Sequence, residues 1–453
     1  MFSIQKKLNQ LTSRTSRLRY SLVKDLEDRQ TSARTDIDKF QLGKLNLILT
    51  HASQTVPYYN NLFSDLGLIK NSVVNLSNLS KIESIPILTK EIIKQQKEKL
   101  FSSEHVVRRA YKNSSGGSTG EPVHVLQDIK FLENAQANFI LVKSWRGVDA
   151  FDSAIKLWGA ERDTYQNNKP VLDYVKDFFK NRMVLNSFRM SVADLERYIQ
   201  ILNSNRPALI VAYANAIYEL ALYAEENEIT VIPQNAIHTG AGTLHDYMRT
   251  KIKDVFNCEV YDHYGSREVG SIASECRAHR GLHILSEHTL VEVVDEAGIA
   301  CAPGVEGEIL VTTLNNFSMP LIRYRIGDLG IMSADVSCEC GVSYPKLSKV
   351  TGRISGVFKN RNGDRISGEF FTHIFRYYDW IKQYQVIQKK LDSLIVYLVI
   401  SKDKNVDQKD LSELEKRINL AMKEYCNIKF EFVEKIQETS TGKYLNTISE
   451  LGR

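Results

Sequence analysis

Long apolar runs are missing from this chain of 453 residues. No stretch reaches the roughly 18 consecutive apolar residues that a membrane-spanning helix needs. Polar residues also interrupt the N-terminus wherever the apolar centre of a secretory signal would lie. Cysteine is scarce: six are too few for a secreted disulfide scaffold of this length. A cytoplasmic, reduced protein is the expectation. A dominant charge sign is nearly absent as well, because a net charge of +5 gives little support to nucleic-acid binding. Much of the basic excess gathers at Lys6, Lys7, Arg14, Arg17 and Arg19. That run reads as a solvated helix face, with peripheral attachment to an anionic membrane surface as the minority use. Internal repeats and low-complexity tracts are absent too.

What is present suits an ordinary globular protein, at 43% hydrophobic and 25% charged residues. The length allows two or three domains. The first hundred residues read mainly as helix, with a loop around Pro57 and a turn near Pro86. From there strands alternate with helices: a strand at 123–126, a helix at 131–145, a capping-box helix start at Ser191 and Asp194, a strand at 208–211 and a helix at 215–225. Further strands fall at 236–239 and 259–262. Glycine-rich turns follow several of them, which places ligands at the carboxyl ends of an α/β sheet. Strands dominate after Leu290, including 308–313 and 321–324. Beyond Gly352 a small α+β unit follows, with a hairpin at 384–400, an amphipathic helix at 411–425 and a strand at 428–433. The expected division is a helical region at 1–110, an α/β core at 111–352 and a C-terminal α+β domain at 353–453.

The densest signal is Ser114-Ser115-Gly116-Gly117-Ser118-Thr119-Gly120-Glu121-Pro122. Glycines permit close backbone approach, so successive amide groups can face one anion, and the hydroxyls add donors. Glu121 and Pro122 stand where a Walker A loop would carry its Lys-Ser/Thr pair, which excludes that motif. Downstream, Tyr264-Gly265-Ser266-Arg267-Glu268 follows a strand and is expected to open a helix, with Glu268 a candidate Mg²⁺ ligand. Asp328, in Tyr-Arg-Ile-Gly-Asp-Leu-Gly, follows a strand and a glycine turn, where a carboxylate suits ribose hydroxyls. Arg353 lies at the expected domain junction and suits phosphate or ribose. Lys443, in Ser440-Thr441-Gly442-Lys443, is a cation that domain closure could carry into a distant site.

In this order, the five segments resemble the adenylate-forming enzymes, most of all the phenylacetate–CoA ligase branch and its CapK-type relatives found with surface-polysaccharide genes. The resemblance runs from about Tyr111 to the C-terminus. It implies a large N-terminal domain of several subdomains and a small mobile C-terminal one. The implied reaction is ATP-dependent activation of a carboxylic acid with pyrophosphate release, then transfer to coenzyme A, an amine or a hydroxyl. It further implies that Ser114 to Gly120 grip the ATP phosphates, and that Thr239, Gly240, Ala241, Gly242 and Thr243 border the adenine and acyl site. Tyr264 would pack by the adenine, Glu268 hold Mg²⁺ and Asp328 take the ribose. Arg353 would contact ribose or phosphate, and Lys443 bridge ATP and the attacking carboxylate. Two departures stand out. Ser355 and Gly356 occupy the usual acidic hinge, and 239–242 lacks the acidic residue often found there. A non-catalytic nucleotide-binding scaffold of the same fold is the alternative.

Cys338-x-Cys340-Gly341 forms a compact two-thiol turn, and Cys276, His279 and His283 precede it by some 60 residues. Three thiols and one imidazole would make a closed, structural zinc site. The resemblance favours His283 as the fourth ligand, while spacing leaves His279 open. Cys258, Cys301 and Cys426 read as plain thiols.

Overall fold

The computed structural model describes residues 14–114, 123–158, 181–187, 190–335, 337–353, 357–361, 365–367, 380–401, 408–422, 425–436 and 445–451, with 371, 374–375, 378, 404 and 406. Ser115 to Gly120, Gly356 and Lys443 lie outside the described residues.

Helices α1 (Arg14–Arg29), α2 (Arg34–Thr55) and α3 (Pro57–Asp65) open the chain. Where a loop was expected around Pro57, that residue instead begins α3. The first turn of a helix leaves its N–H groups unpaired anyway, so proline costs nothing there. A short ribbon follows, β1 (Ile69–Lys70) with β2 (Val73–Val74), then α4 (Lys90–Gln96). The N-terminal region is built into the core rather than appended to it. The buried Arg323 guanidinium pairs with Glu292 at 3.0 Å and donates to the carbonyls of Glu83, Ile85 and Gly298. Five donors and a buried carboxylate satisfy each other there, as burial of such charges requires.

Strands β3 (Tyr111–Ser114) and β4 (His124–Gln127) form an antiparallel pair whose open end leads into the glycine-rich segment. Helix α5 (Ile129–Ser144) starts at Asp128, whose carboxylate accepts from the Phe131 amide at 2.8 Å. Such a cap stabilises a helix by about 1 kcal/mol. Next comes a parallel sheet of β5 (Ala154–Leu157), β6 (Arg182–Leu185), β7 (Leu209–Tyr213), β8 (Ala236–Gly240) and β9 (Glu259–Tyr261), in the order β6-β5-β7-β8-β9. Helices α6 (Val192–Asn205), α7 (Ala214–Glu226) and α8 (Asp246–Phe256) bury their apolar faces against it. The expected capping box at Ser191 and Asp194 is formed.

A seven-stranded antiparallel sheet follows: β10 (His263–Ser266), β11 (Gly270–Glu275), β12 (Leu282–Ile284), β13 (Thr289–Val294), β14 (Glu306–Thr313), β15 (Tyr324–Met332) and β16 (Lys346–Arg353), ordered β10-β11-β12-β16-β15-β14-β13. It shares its main core with the N-terminal helices. The C-terminal part has its own core. It holds the pair β17 (Val357–Lys359) and β18 (Arg365–Ser367), strands β19 (Ile381–Lys390) and β20 (Ser393–Ile400), α9 (Gln408–Met422), β21 (Asn427–Phe432) and β22 (Thr447–Ser449). None of the described helices is long and apolar enough to cross a membrane.

Two local expectations are corrected. Tyr264 to Glu268 does not open a helix; it ends β10 and turns into β11. A side chain at position 265 would meet the Gly270 carbonyl at 2.6 Å, and Gly270 itself has φ +75°. The two glycines let the hairpin close more tightly than a helix-forming pair would allow. Asp328 does not follow a strand but lies inside β15, and Leu321 to Arg323 precede that strand.

Candidate functional site

A side-chain contact between the edge strand β10 and the inner strand β15 brings distant motif residues together. The Tyr264 hydroxyl, on β10, donates to Asp328 Oδ2 at 2.8 Å. β15 and β16 pair so that the backbone of Arg353 stands opposite Asp328. Glu268 is buried in the β10–β11 turn, and its Oε1 accepts from the Tyr324 hydroxyl at 3.4 Å. Three of the predicted residues, Tyr264, Glu268 and Asp328, thus share one neighbourhood, with each carboxylate oriented by a phenol.

The glycine-rich segment is anchored to the same place from both flanks. The Gln127 side-chain amide donates to the carbonyls of Arg267 (2.7 Å) and Glu268 (3.1 Å). Asn113 donates to the Arg267 carbonyl at 3.3 Å and to Gln127 Oε1 at 3.0 Å. Asn113 immediately precedes Ser114, and the latter pairs with His124 across the hairpin. Ser114 and His124, on either side of the segment, therefore stand beside the Glu268 turn. Asn113, Gln127 and Tyr324 were not singled out from the sequence. The one available signal was a pair of amide side chains in strands too short to need them.

On the other side of β10, the strand β8 ends in Thr239 and Gly240. Thr239 is buried, with its hydroxyl donating to the Tyr261 carbonyl at 3.1 Å. Ala241 takes φ +62°, and a side chain at Gly240 would stand 3.4 Å from the His263 carbonyl. This turn and Gly242 lie at the carboxyl end of the parallel sheet, where α/β folds leave a crevice.

A second cluster forms where β11, β12 and the turn before β16 meet. The ligand atoms of Cys276, His283, Cys338 and Cys340 all lie within 4.8 Å of one another. Cys276 and Cys338 sulfurs are 3.7 Å apart, and Cys340 Sγ is 3.4 Å from His283 Nε2. Zinc–sulfur bonds of about 2.3 Å in a tetrahedron put sulfurs about 3.8 Å apart, so the donor set fits zinc. His283 Nδ1 faces the Tyr344 carbonyl at 3.1 Å, which leaves Nε2 for a metal. Burial pushes the imidazole down to about 4, so it is neutral, as a ligand must be. Burial pushes the Cys276 thiol up to about 12, and a divalent cation would offset that cost. His279 sits elsewhere: it faces Glu275 and Glu259 and stacks on Tyr261 with ring centroids 4.8 Å apart. His283, not His279, therefore lies within the cluster of thiols.

Of the N-terminal basic run, Arg19 is partly buried in a two-pronged pair with Glu133 at 2.9 and 3.0 Å.

Residues 358–450 match the family described as the CapK C-terminal domain. Protein CapK of Staphylococcus aureus is 25% identical over 390 residues, which cover 82% of this chain and 83% of that one. Phenylacetate-coenzyme A ligase of Aromatoleum evansii is 25% identical over 342 residues, 73% of each chain. Among solved structures, 2-hydroxyisobutyryl-CoA ligase in its postadenylation state superposes with a TM-score of 0.75 at 17% identity, covering 93% of this chain and 91% of that one.

Proposed function

We propose that this chain, a relative of CapK and of the phenylacetate–CoA ligases with the fold of the adenylate-forming CoA ligases, is itself an adenylate-forming ligase. A carboxylate attacks the α-phosphorus of ATP, pyrophosphate leaves, and the acyl group passes to coenzyme A or to another thiol, amine or hydroxyl. The observation that carries this reading is the Tyr264–Asp328 contact, with the Arg353 backbone opposite it and Glu268 beside it at the foot of the glycine-rich segment.

Each part has a physical task. Attack of one anion on another needs positive charge and oriented N–H donors where charge develops. Amides and hydroxyls of Ser114 to Gly120 would supply donors to the phosphates. Asp328 would accept from the ribose hydroxyls, and its bond from Tyr264 would hold the phenol beside the adenine. Glu268 would be the protein's ligand to Mg²⁺, which when bound offsets charge on the phosphates. Arg353 and Lys443 would add cations, the second through closure of the C-terminal domain about a hinge at Gly356. Asn113 and Gln127 would hold the Arg267–Glu268 backbone in place for this. Cys276, His283, Cys338 and Cys340 would bind zinc with no position left open, a structural role.

ATP-dependent pyrophosphate release over a panel of aryl, fatty, amino and sugar acids tests the reading, with hydroxylamine trapping bound adenylates as hydroxamates. At least one acid should give both products in equal amounts. ATP binding without pyrophosphate from any acid would instead support a nucleotide-binding scaffold. The acceptor is a separate question; coenzyme A and a surface-polysaccharide amine or hydroxyl both follow the same first step.

A further inference from the structure

Between the parallel sheet and α5 lies a group of polar side chains that the reaction described above does not use. Arg146, just past α5, bonds through one guanidinium nitrogen to His238 Nδ1 and through another to Ser274 Oγ at 2.6 Å. Its guanidinium also lies over the Tyr261 ring, 5.0 Å from the centroid. The rings of His238 and His263 stand 4.7 Å apart, and Phe139 meets His238 edge-on at 5.4 Å. His263 Nε2 contacts Ser271 Oγ at 3.1 Å. Along the same face Lys156 reaches over Phe139 and Trp158. Two buried atoms of this group, His263 Nδ1 and Arg146 Nε, have no hydrogen-bond partner among the described residues. Buried polar atoms are rarely left so without a ligand or a water to meet them.

Position gives the group its meaning. His263 is the residue before Tyr264, and side chains alternate along a strand, so the two project to opposite faces of β10. Tyr264 looks toward Asp328. His263 looks toward His238, the second residue before Gly240. On the adenylate-forming reading the turn after β8 borders the acyl site, and that turn starts two residues past His238, with a side chain at Gly240 falling 3.4 Å from the His263 carbonyl. Both imidazoles are neutral there: burial holds His238 well below its ordinary value and pushes His263 down to about 3, with Arg146 adding to each effect. A neutral imidazole both donates and accepts, whereas an apolar substituent would leave these groups unmet.

We propose that Arg146, His238 and His263 line the acid end of the site and select a carboxylic acid bearing a hydroxyl or oxo substituent over the same skeleton without one. The proposal rests on the adenylate-forming reading and adds its substrate class. His263 and Arg146 act as specificity residues, each supplying an unmet hydrogen-bonding atom to the substituent, while His238 holds the guanidinium in place.

The test compares matched pairs in acid-dependent ATP–pyrophosphate exchange: lactate with propionate, mandelate with phenylacetate, and gluconate with hexanoate. In the best-used pair the oxygenated acid should have a kcat/KM about tenfold to a hundredfold higher. His263→Leu should erase or invert that ratio, and His263→Gln should restore part of it. A packing role alone would lower both members together and leave the ratio unchanged, which would overturn the proposal. So would a wild-type preference for the unsubstituted acids, while leaving adenylate formation intact. Calorimetric titration of the same pairs into protein holding a non-hydrolysable ATP analogue reads selectivity without turnover. Equal affinities in every pair would overturn the proposal. Selective binding with no exchange from any acid would support it and sink the adenylate-forming reading alone.

Discussion

Two groups of chemically capable side chains share the seven-stranded sheet, and they are built on opposite plans. Cys276, His283, Cys338 and Cys340 converge on a single point, each donor within 4.8 Å of the rest. Tyr264, Glu268 and Asp328 are instead spread over β10, the β10–β11 turn and β15, with the Tyr264 phenol on Asp328 and the Tyr324 phenol on Glu268, beside backbone carbonyls clamped by Asn113 and Gln127. A convergent set closes on one ion and leaves nothing for a substrate. A dispersed set keeps its groups apart from one another, as an extended ligand such as a nucleotide requires. The contrast separates structure from chemistry before any activity is known, and it can be broken at either end.

The largest effect is expected at Lys443. Lys443→Ala should lower adenylate formation about a hundredfold or more while ATP binding and melting temperature stay close to wild type. Equal rates in stopped assays would remove Lys443 from the mechanism. Glu268→Gln should cost on the order of tenfold to a hundredfold and raise the Mg²⁺ concentration needed for half-maximal rate. An unchanged Mg²⁺ titration would count against Glu268 as the ligand.

The convergent cluster should behave in the opposite sense. Purified protein should carry about one zinc per chain. His283→Gln or Cys340→Ser should release it and lower the melting temperature, with KM for ATP held within about twofold on the folded fraction. His279→Gln should keep the metal. Zinc retained in His283→Gln but lost in His279→Gln would reverse the ligand assignment.

Smaller effects sharpen the comparison. Gln127→Ala leaves the Arg267 and Glu268 carbonyls short of a donor and should destabilise by about 1–3 kcal/mol. It should also raise KM for ATP several-fold, since the turn that carries Glu268 loses its brace. A stability loss with unchanged KM would confine Gln127 to packing. Acid should act on neither cluster alone. Burial pushes His263 down to about 3 and His288 to about 4, so the unfolded chain takes up protons that the folded one refuses. Their contribution to stability is complete above the ordinary value of about 6.5 and is lost as pH falls toward 4. Urea midpoints should therefore drop between pH 7 and pH 5, and a flat profile would contradict this.

Legibility in the sequence followed the range of the forces involved. The Ser191 capping box is local, two residues three apart that satisfy one another, and it was read correctly. The alternation of strand and helix through residue 262 is a periodic signal and held. The Tyr264–Gly270 hairpin reads as a helix start because its determinant is steric rather than periodic: only a glycine at 265 can pass so close to the Gly270 carbonyl, and no apolar pattern marks that. The choice between His279 and His283 rested on strand pairing, since β12 sets His283 opposite Lys346 and thereby beside the two-thiol turn. Gln127 acts on a carbonyl 140 residues away, and no motif announces such a contact.

One measurement reaches the central claim directly. An accepted carboxylic acid labelled with ¹⁸O in its carboxylate is turned over with ATP and hydroxylamine, and the AMP is weighed by mass spectrometry. Attack by the carboxylate on the α-phosphorus places one carboxylate oxygen between carbon and phosphorus, and acyl transfer then leaves that oxygen on AMP. One ¹⁸O per AMP is the predicted result. Unlabelled AMP, or label found in orthophosphate beside ADP, would contradict an acyl-adenylate at this site.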